Sequence, residues 1–247
     1  MIEITGLYKS FGEQKVLTGV DLQIPARKIT VILGRGGVGK SVLLKHIIGL
    51  VRPDRGKILI DGVDITKLGD TEINEMRKRF GMLFQDAALF DSMTVGANVA
   101  FPLYEHTKLK EKEIARIVAQ KLEQVGLPGE EEKMPAQLSG GMKRRVGLAR
   151  ALALDPEIVL FDEPTAGLDP PMAEAIEELI VETQRDLGRT FVVITHSIHT
   201  AFHIGHKIAM LYEGKIIEEG SPRAFRKSSN PVVQAFLAPG EGKEEQA

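Results

Sequence analysis

Cysteine is absent from the 247-residue chain, which excludes disulfides, zinc–thiolate centres and thiol nucleophiles. A large net charge is absent too: 34 acidic residues against 32 basic ones leave −2 at neutral pH. So even a balance lacks the strongly basic footprint of a nucleic-acid binder, and no nucleic-acid partner is expected. Long apolar runs are missing. Residues 29–33 and 191–194 are typical, and the stretch 42–51 is broken by Lys45 and His46. A membrane span needs about 20 apolar residues, so the expectation is a chain that does not itself cross a membrane but can sit against one or bind a protein that does. Residues 1–6 have no basic patch leading into an apolar stretch and do not read as a signal peptide.

What is present is an ordinary globular composition, 43% apolar and 27% charged, enough for one large domain or two small ones. Residues 2–5, 17–24 and 28–33 read as short strands punctuated by Gly12 and Pro25. A glycine-rich loop at 34–39 leads into a helical pattern at 40–50, and 57–60 looks like another strand before an Asp61-Gly62 turn. From 70 to 126 the pattern turns helical: Ile114, Ile117, Val118, Leu122 and Val125 share one face, with Gly126 at the expected C-cap and Pro128 beyond. Residues 157–162 and 190–195 read as buried strands flanking a helix at 171–187, with Met172, Ile176, Leu179, Ile180, Thr183 and Leu187 on one face. Residues 207–212 and 215–218 form a hairpin pattern around Glu213-Gly214. Strands alternating with helices imply an α/β fold with a largely parallel sheet, interrupted by an inserted helical subdomain. The tail from Pro239 is polar and is expected to be disordered.

Three segments carry chemistry. Gly34, Arg35, Gly36, Gly37, Val38, Gly39, Lys40 and Ser41 match G-x4-G-K-[ST], between an expected strand and an expected helix. Glycines let backbone N–H groups wrap a phosphate, the helix N-terminus favours the anion, Lys40 offers a point charge to the β- and γ-phosphates, and the Ser41 hydroxyl suits Mg²⁺. In the second segment, four apolar residues run into Asp162 and Glu163, two carboxylates at the strand end where α/β sheets place ligands. Asp162 suits the metal, and Glu163 suits orienting and deprotonating an attacking water. The third is Leu138, Ser139, Gly140, Gly141 and Met142, ahead of a helix bearing Lys143, Arg144 and Arg145; a hydroxyl, two glycines and a helix start again suit an anion.

In this order and spacing the three segments resemble the ATP-binding cassette (ABC) ATPases, over nearly the whole chain. The resemblance implies a P-loop NTPase fold of the ABC type, with a mostly parallel core sheet, an N-terminal antiparallel β-subdomain and an inserted α-helical subdomain. It assigns residues 1–237 to one ATPase domain, with the insert at about 86–152, and 238–247 to the tail. It further implies ATP and Mg²⁺ as cofactors and ATP hydrolysis as the activity. Residue by residue, Phe11 would stack on adenine, with Val16 beside it, and Val42 would follow Ser41 along the phosphates. Gln85 would touch the metal and sense a transmembrane partner. Leu138 to Met142 would cap nucleotide held by a second copy of the chain, Asp169 would line the seam of that dimer, and His196 would contact the γ-phosphate.

This sequence departs from the family pattern where Met142 replaces Gln, Arg35 and Gly36 replace Pro and Ser, Val42 replaces Thr, and Ser197 replaces Asp. None removes an atom needed for hydrolysis. Gly39 to Lys45, Leu138 to Met142, and Ala88 to Val95 with Ala100-Phe101-Pro102-Leu103 together resemble the Mla-type ATPases, which energise lipid transport between bacterial membranes. That resemblance implies a transmembrane permease, an MCE-type lipid-binding protein, a STAS-domain protein in some members, and a peripheral place on the cytoplasmic face of the bacterial inner membrane. Phe90, Met93, Val95, Phe101 and Leu103 are expected to be exposed as a docking surface for the permease. An ATPase of an amino-acid or metal importer, and a non-transport ABC clamp, stay open as alternatives. Cargo and direction are not set by the residues.

Overall fold

The computed structural model describes residues 1–238; the expectation of a disordered tail lies outside them. The strands are β1 (Ile2–Phe11), β2 (Gln14–Ile24), β3 (Ile29–Leu33), β4 (Arg55–Ile60), β5 (Val63–Asp64), β6 (Phe80–Leu83), β7 (Ile158–Asp162), β8 (Thr190–Thr195), β9 (Lys207–Tyr212) and β10 (Lys215–Gly220). The α-helices are α1 (Lys40–Ile47), α2 (Asp70–Arg77), α3 (Val95–His106), α4 (Glu111–Gln124), α5 (Gly140–Leu152), α6 (Pro170–Leu187), α7 (Ile198–Ile204), α8 (Pro222–Phe225) and α9 (Pro231–Leu237). The strands form two sheets. One is four-stranded and antiparallel, in the order β2-β1-β4-β5. The other is six-stranded, in the order β10-β9-β3-β8-β7-β6, and parallel except for the β9–β10 hairpin.

The central parallel strands are apolar on both faces because both faces are covered. Side chains alternate across a strand, so Ile29, Val31 and Leu33 of β3, Val159 and Phe161 of β7, and Phe191 and Val193 of β8 share one apolar cluster with α3 to α7. Ile32, Ile158, Leu160, Val192 and Ile194 point the other way, into a cluster with Leu43, Leu44 and Ile47 of α1 and with the inward residues of β1, β2 and β4. Burying a side chain of this size contributes about 1.5–3 kcal/mol, and the sheet serves two such layers at once.

The α/β architecture, the antiparallel N-terminal sheet and the helices between β6 and β7 agree with the sequence reading. Three local expectations need correction. Residues 80–83 lie in a stretch read as helical but form the edge strand β6, paired in parallel with β7 from Phe80↔Ile158 to Leu83↔Phe161. Met172, placed on the buried face of α6, is 40% exposed, since the first turn of α6 projects past the core. Val95 and Leu103, expected to be exposed, are buried among Val99, Ala100 and Leu122, while Phe90 is exposed.

Candidate functional site

Parallel strands bring their C-terminal ends to one edge, and the register says which residues meet there. Leu83 is level with Phe161, Asp162 with Ile194, and Leu33 with Thr195. The loops that leave this edge therefore begin side by side. They carry Gln85 after β6, Asp162 and Glu163 at the end of β7, Gly34 to Gly39 after β3, and His196 after β8.

The glycine-rich loop turns from β3 into α1, with Gly39 as the N-cap in a left-handed conformation, φ 102°. Glycine suits that backbone, and a Cβ there would also meet the Val16 side chain at 3.0 Å. Val16 thus lies against the loop. Arg35, Gly36 and Gly37 are exposed, Val38, Ser41 and Val42 are partly buried, and nothing lies within 4 Å of a Cβ built at Gly36 or Gly37. Lys40 is 6% exposed; its Nζ donates to the Gly34 carbonyl at 2.8 Å and the Arg35 carbonyl at 3.0 Å, and lies 3.2 Å from Glu163 Oε1. The ammonium therefore ties the loop to the carboxylate edge.

Glu163 has a positive φ of 46°, a conformation that costs about 1–3 kcal/mol in a non-glycine residue and persists where surroundings impose it. Here its N–H donates to the Ile194 carbonyl at 3.0 Å. Its Oε2 lies 2.9 Å from His196 Nδ1 and accepts from the His196 backbone N–H at 3.2 Å. Burial opposes ionisation of Glu163, but the His196 hydrogen bond and the Lys40 charge outweigh it and hold the carboxyl below the usual range. Asp162 goes the other way. Burial and the neighbouring Glu163 push its carboxyl up against the hydrogen bond that Ser41 Oγ donates to it at 3.2 Å. Asp162 and Ser41 form a hard-oxygen pair of the kind a divalent cation takes, and a cation there would relieve the desolvated carboxylate. Gln85 is exposed at the same edge.

Other expected site residues lie elsewhere in the chain. Ser139 is the N-cap of α5, its Oγ accepting from the Met142 N–H at 3.3 Å. Gly140 and Gly141 pack toward Leu168 and Met172, and Leu138 is a core residue, 7% exposed. Asp169 caps α6 by accepting from the Met172 N–H at 3.0 Å. Leu138 to Met142, the signature segment in the family pattern, therefore neighbour Asp169 rather than the glycine-rich loop. Phe11, at the end of β1, is 50% exposed with Lys9 Nζ 5.4 Å from its ring centre, an open face of the sort that stacking needs.

Sequence reasoning left Arg144 without a role. Its guanidinium is buried and donates to the Pro164 carbonyl at 3.1 Å and the Ala166 carbonyl at 2.9 Å, joining the signature helix to the loop that follows Glu163. A cation five residues into a helix carries no signal of that contact.

The ABC transporter family model matches residues 17–166. A protein of Mycobacterium leprae named as a ribonucleotide transport ATP-binding protein, mkl, is 48% identical over 236 residues, 96% of this chain and 68% of its own length; the chain spans about two thirds of the mycobacterial relatives it matches. The intermembrane phospholipid transport system ATP-binding protein MlaF of Haemophilus influenzae is 43% identical over 96% of this chain and 90% of its own length. A dimeric ATP-binding cassette in a post-hydrolysis state with ADP and Pi superimposes with a TM-score of 0.82 at 32% identity, covering 90% of this chain and 99% of that one.

Proposed function

The chain belongs to the ABC transporter family, and we propose that it is the ATP-hydrolysing subunit of a transporter that moves phospholipid between bacterial membranes. The observation that carries the hydrolytic reading is the Lys40–Glu163–His196 cluster on the edge where the glycine-rich loop ends. Gly34 to Gly39 would wrap the phosphates with backbone N–H groups, and Lys40 would turn from the loop carbonyls to the β- and γ-phosphates. Glu163, held ionised at neutral pH, accepts the proton of an attacking water. His196, hydrogen-bonded to Glu163, orients that carboxylate and reaches the γ-phosphate. Asp162, Ser41 and Gln85 would hold Mg²⁺, which would supply positive charge to the phosphates. Phe11 and Val16 would take the base. Val42 offers an apolar contact where a hydroxyl is usual.

Ser139 to Met142 of a second copy would cap the γ-phosphate, with Asp169 at the seam. The domain reading, one ATPase unit over 1–237 with a helical insert at about 86–152, is kept as part of this proposal. Among the described residues no helix is long and apolar enough to cross a membrane, so a separate permease would carry the cargo path. A groove of about 830 Å³ beside Phe84, lined by Phe90, Phe101, Pro102 and Arg150, offers that permease an apolar seat next to Gln85 in the helix-in-groove manner. The Phe90 ring stands 4.9 Å from Phe101 and takes the Arg150 guanidinium at 5.8 Å. An MCE-type lipid-binding protein and a STAS-domain protein complete the proposed assembly, on the cytoplasmic face of the inner membrane.

Phospholipid is preferred to ribonucleotide because the MlaF relative matches this chain over 90% of its own length and the mkl relative over 68%. The test is ATP-driven transfer of labelled phospholipid between vesicles by the chain reconstituted with its permease. Glu163→Gln should bind ATP normally, with turnover and transfer lowered by about 10² or more. Phe90→Asp should keep the soluble ATPase rate and lose permease and transfer. Near-normal turnover in Glu163→Gln rejects the catalytic reading; transfer of ribonucleotides and no lipid rejects the cargo.

A further inference from the structure

Behind the His196 loop, α6 and α7 bring together three side chains that hydrolysis does not use: Glu177, His199 and His203. Glu177 is 2% exposed, which for a carboxylate demands partners. One oxygen, Oε1, accepts from the Thr200 hydroxyl at 2.6 Å. The other, Oε2, lies 2.6 Å from His203 Nδ1 and 3.5 Å from His199 Nδ1. The two histidines are one helical turn apart on α7, at spacing that puts side chains on one face, and their ring centres are 5.5 Å apart.

A buried ion pair needs one histidine; it gives no reason for a second ring converging on the same oxygen, where two imidazolium charges would repel. A metal gives one. Tetrahedral zinc with bonds of 2.0–2.1 Å sets its ligand atoms about 3.3 Å apart, a value between the two oxygen–nitrogen separations here, and all three candidate ligand atoms lie within 4.8 Å of one another. Two imidazoles and a carboxylate are the donor set that late first-row divalent metals prefer over Mg²⁺. The Thr200 hydroxyl orients the carboxylate as an outer-shell partner does, and the exposed edges of His199 and His203 leave the remaining position to solvent.

We propose that Glu177, His199 and His203 form a binding site for a zinc-class divalent metal that clamps α7 to α6, separate from the Asp162–Ser41 pair. The test uses the nucleotide-free full chain. Zinc chloride is titrated by calorimetry, cobalt chloride is followed by its visible absorption, and melting is recorded with and without zinc. The wild type should take one zinc per chain at this site, show the intense bands of tetrahedral cobalt and melt higher with zinc. His199→Gln and His203→Gln, both at exposed rings, should each weaken zinc at least about tenfold, and the double variant, folded but lower-melting for the lost His203–Glu177 contact, should lose the cobalt bands and the zinc-dependent melting shift. His106→Gln should bind like the wild type. No stoichiometric zinc binding by the wild type, or unchanged affinity in a folded double variant, overturns the proposal.

Discussion

Two adjacent carboxylates, Asp162 and Glu163, are driven apart by what each can reach. Asp162 bonds one neutral hydroxyl and lies beside a like charge, and the Lys40 and Lys45 charges do not offset its burial, so its proton is held more tightly. Glu163 reaches a histidine and an ammonium, and these reverse the effect of burial. On the proposed reading, that separation suits them to different work: a carboxylate that a cation would relieve, and a base ionised at neutral pH. His196→Ala removes the hydrogen bond first among the causes that lower the Glu163 carboxyl. Burial is then opposed only by Lys40 and by the backbone N–H of residue 196, so the Glu163 titration midpoint, followed by infrared difference spectroscopy on the nucleotide-free protein, should move to higher pH. Lys40 remains, so the group should stay a titrating carboxylate; a midpoint unmoved or lowered would show that His196 does not set its ionisation. At this scale the site was legible, because the loop from Gly34 to Ser41 and the Asp162-Glu163 pair are contiguous and their chemistry is written in neighbouring residues. What was not legible is the bond between Glu163 and His196, which joins positions brought together only by the β7–β8 register.

At the scale of elements, strand β6 shows why local pattern failed. Phe80-Gly81-Met82-Leu83 is four residues long with a glycine inside, and glycine weakens any strand reading. The glycine is there for packing: a Cβ at Gly81 would lie 2.2 Å from the Ala151 carbonyl oxygen and 3.1 Å from the Pro156 ring. Helix α5, which begins at the signature segment, thus presses its last turn onto the strand that leads to Gln85. Gly81→Ala must separate them, at a cost of about 1–3 kcal/mol from overpacking, read as a lowered Tm or urea midpoint; an unchanged midpoint would mean that α5 and β6 are free to shift. The same burial explains Val95 and Leu103. Helix α3 presents them to α4 and α5, and periodicity alone does not say which apolar face of an insert turns inward. By contrast α4 was readable, since Ile114, Val118 and Leu122 all sit on its buried stripe and Gly126 ends it with φ 73°.

At the scale of the molecule, the proposed dimer would divide each nucleotide site between two chains. The glycine-rich loop belongs to the β3 edge, beside Val16 and the Leu211 carbonyl, whereas Ser139 and the glycines after it pack toward Leu168 and Met172 beside Asp169. Arg144 ties that second group to the loop following Glu163 through the Pro164 and Ala166 carbonyls. Two chains related by a twofold axis would bring each signature helix start over the partner's phosphates, completing two sites at one seam, an isologous arrangement. Hydrolysis would open the seam by removing the phosphate both chains share. Blocking hydrolysis should therefore trap the closed form. Glu163→Gln is expected to be monomeric without nucleotide and to double its mass with ATP and Mg²⁺, measured by light scattering, and ADP should not substitute. Ser139→Arg in the same background places a cation and bulk at the helix start and should abolish the doubling while ATP still binds each chain. A mass unchanged by ATP, with the permease present as well as without it, would mean that each chain completes its site alone.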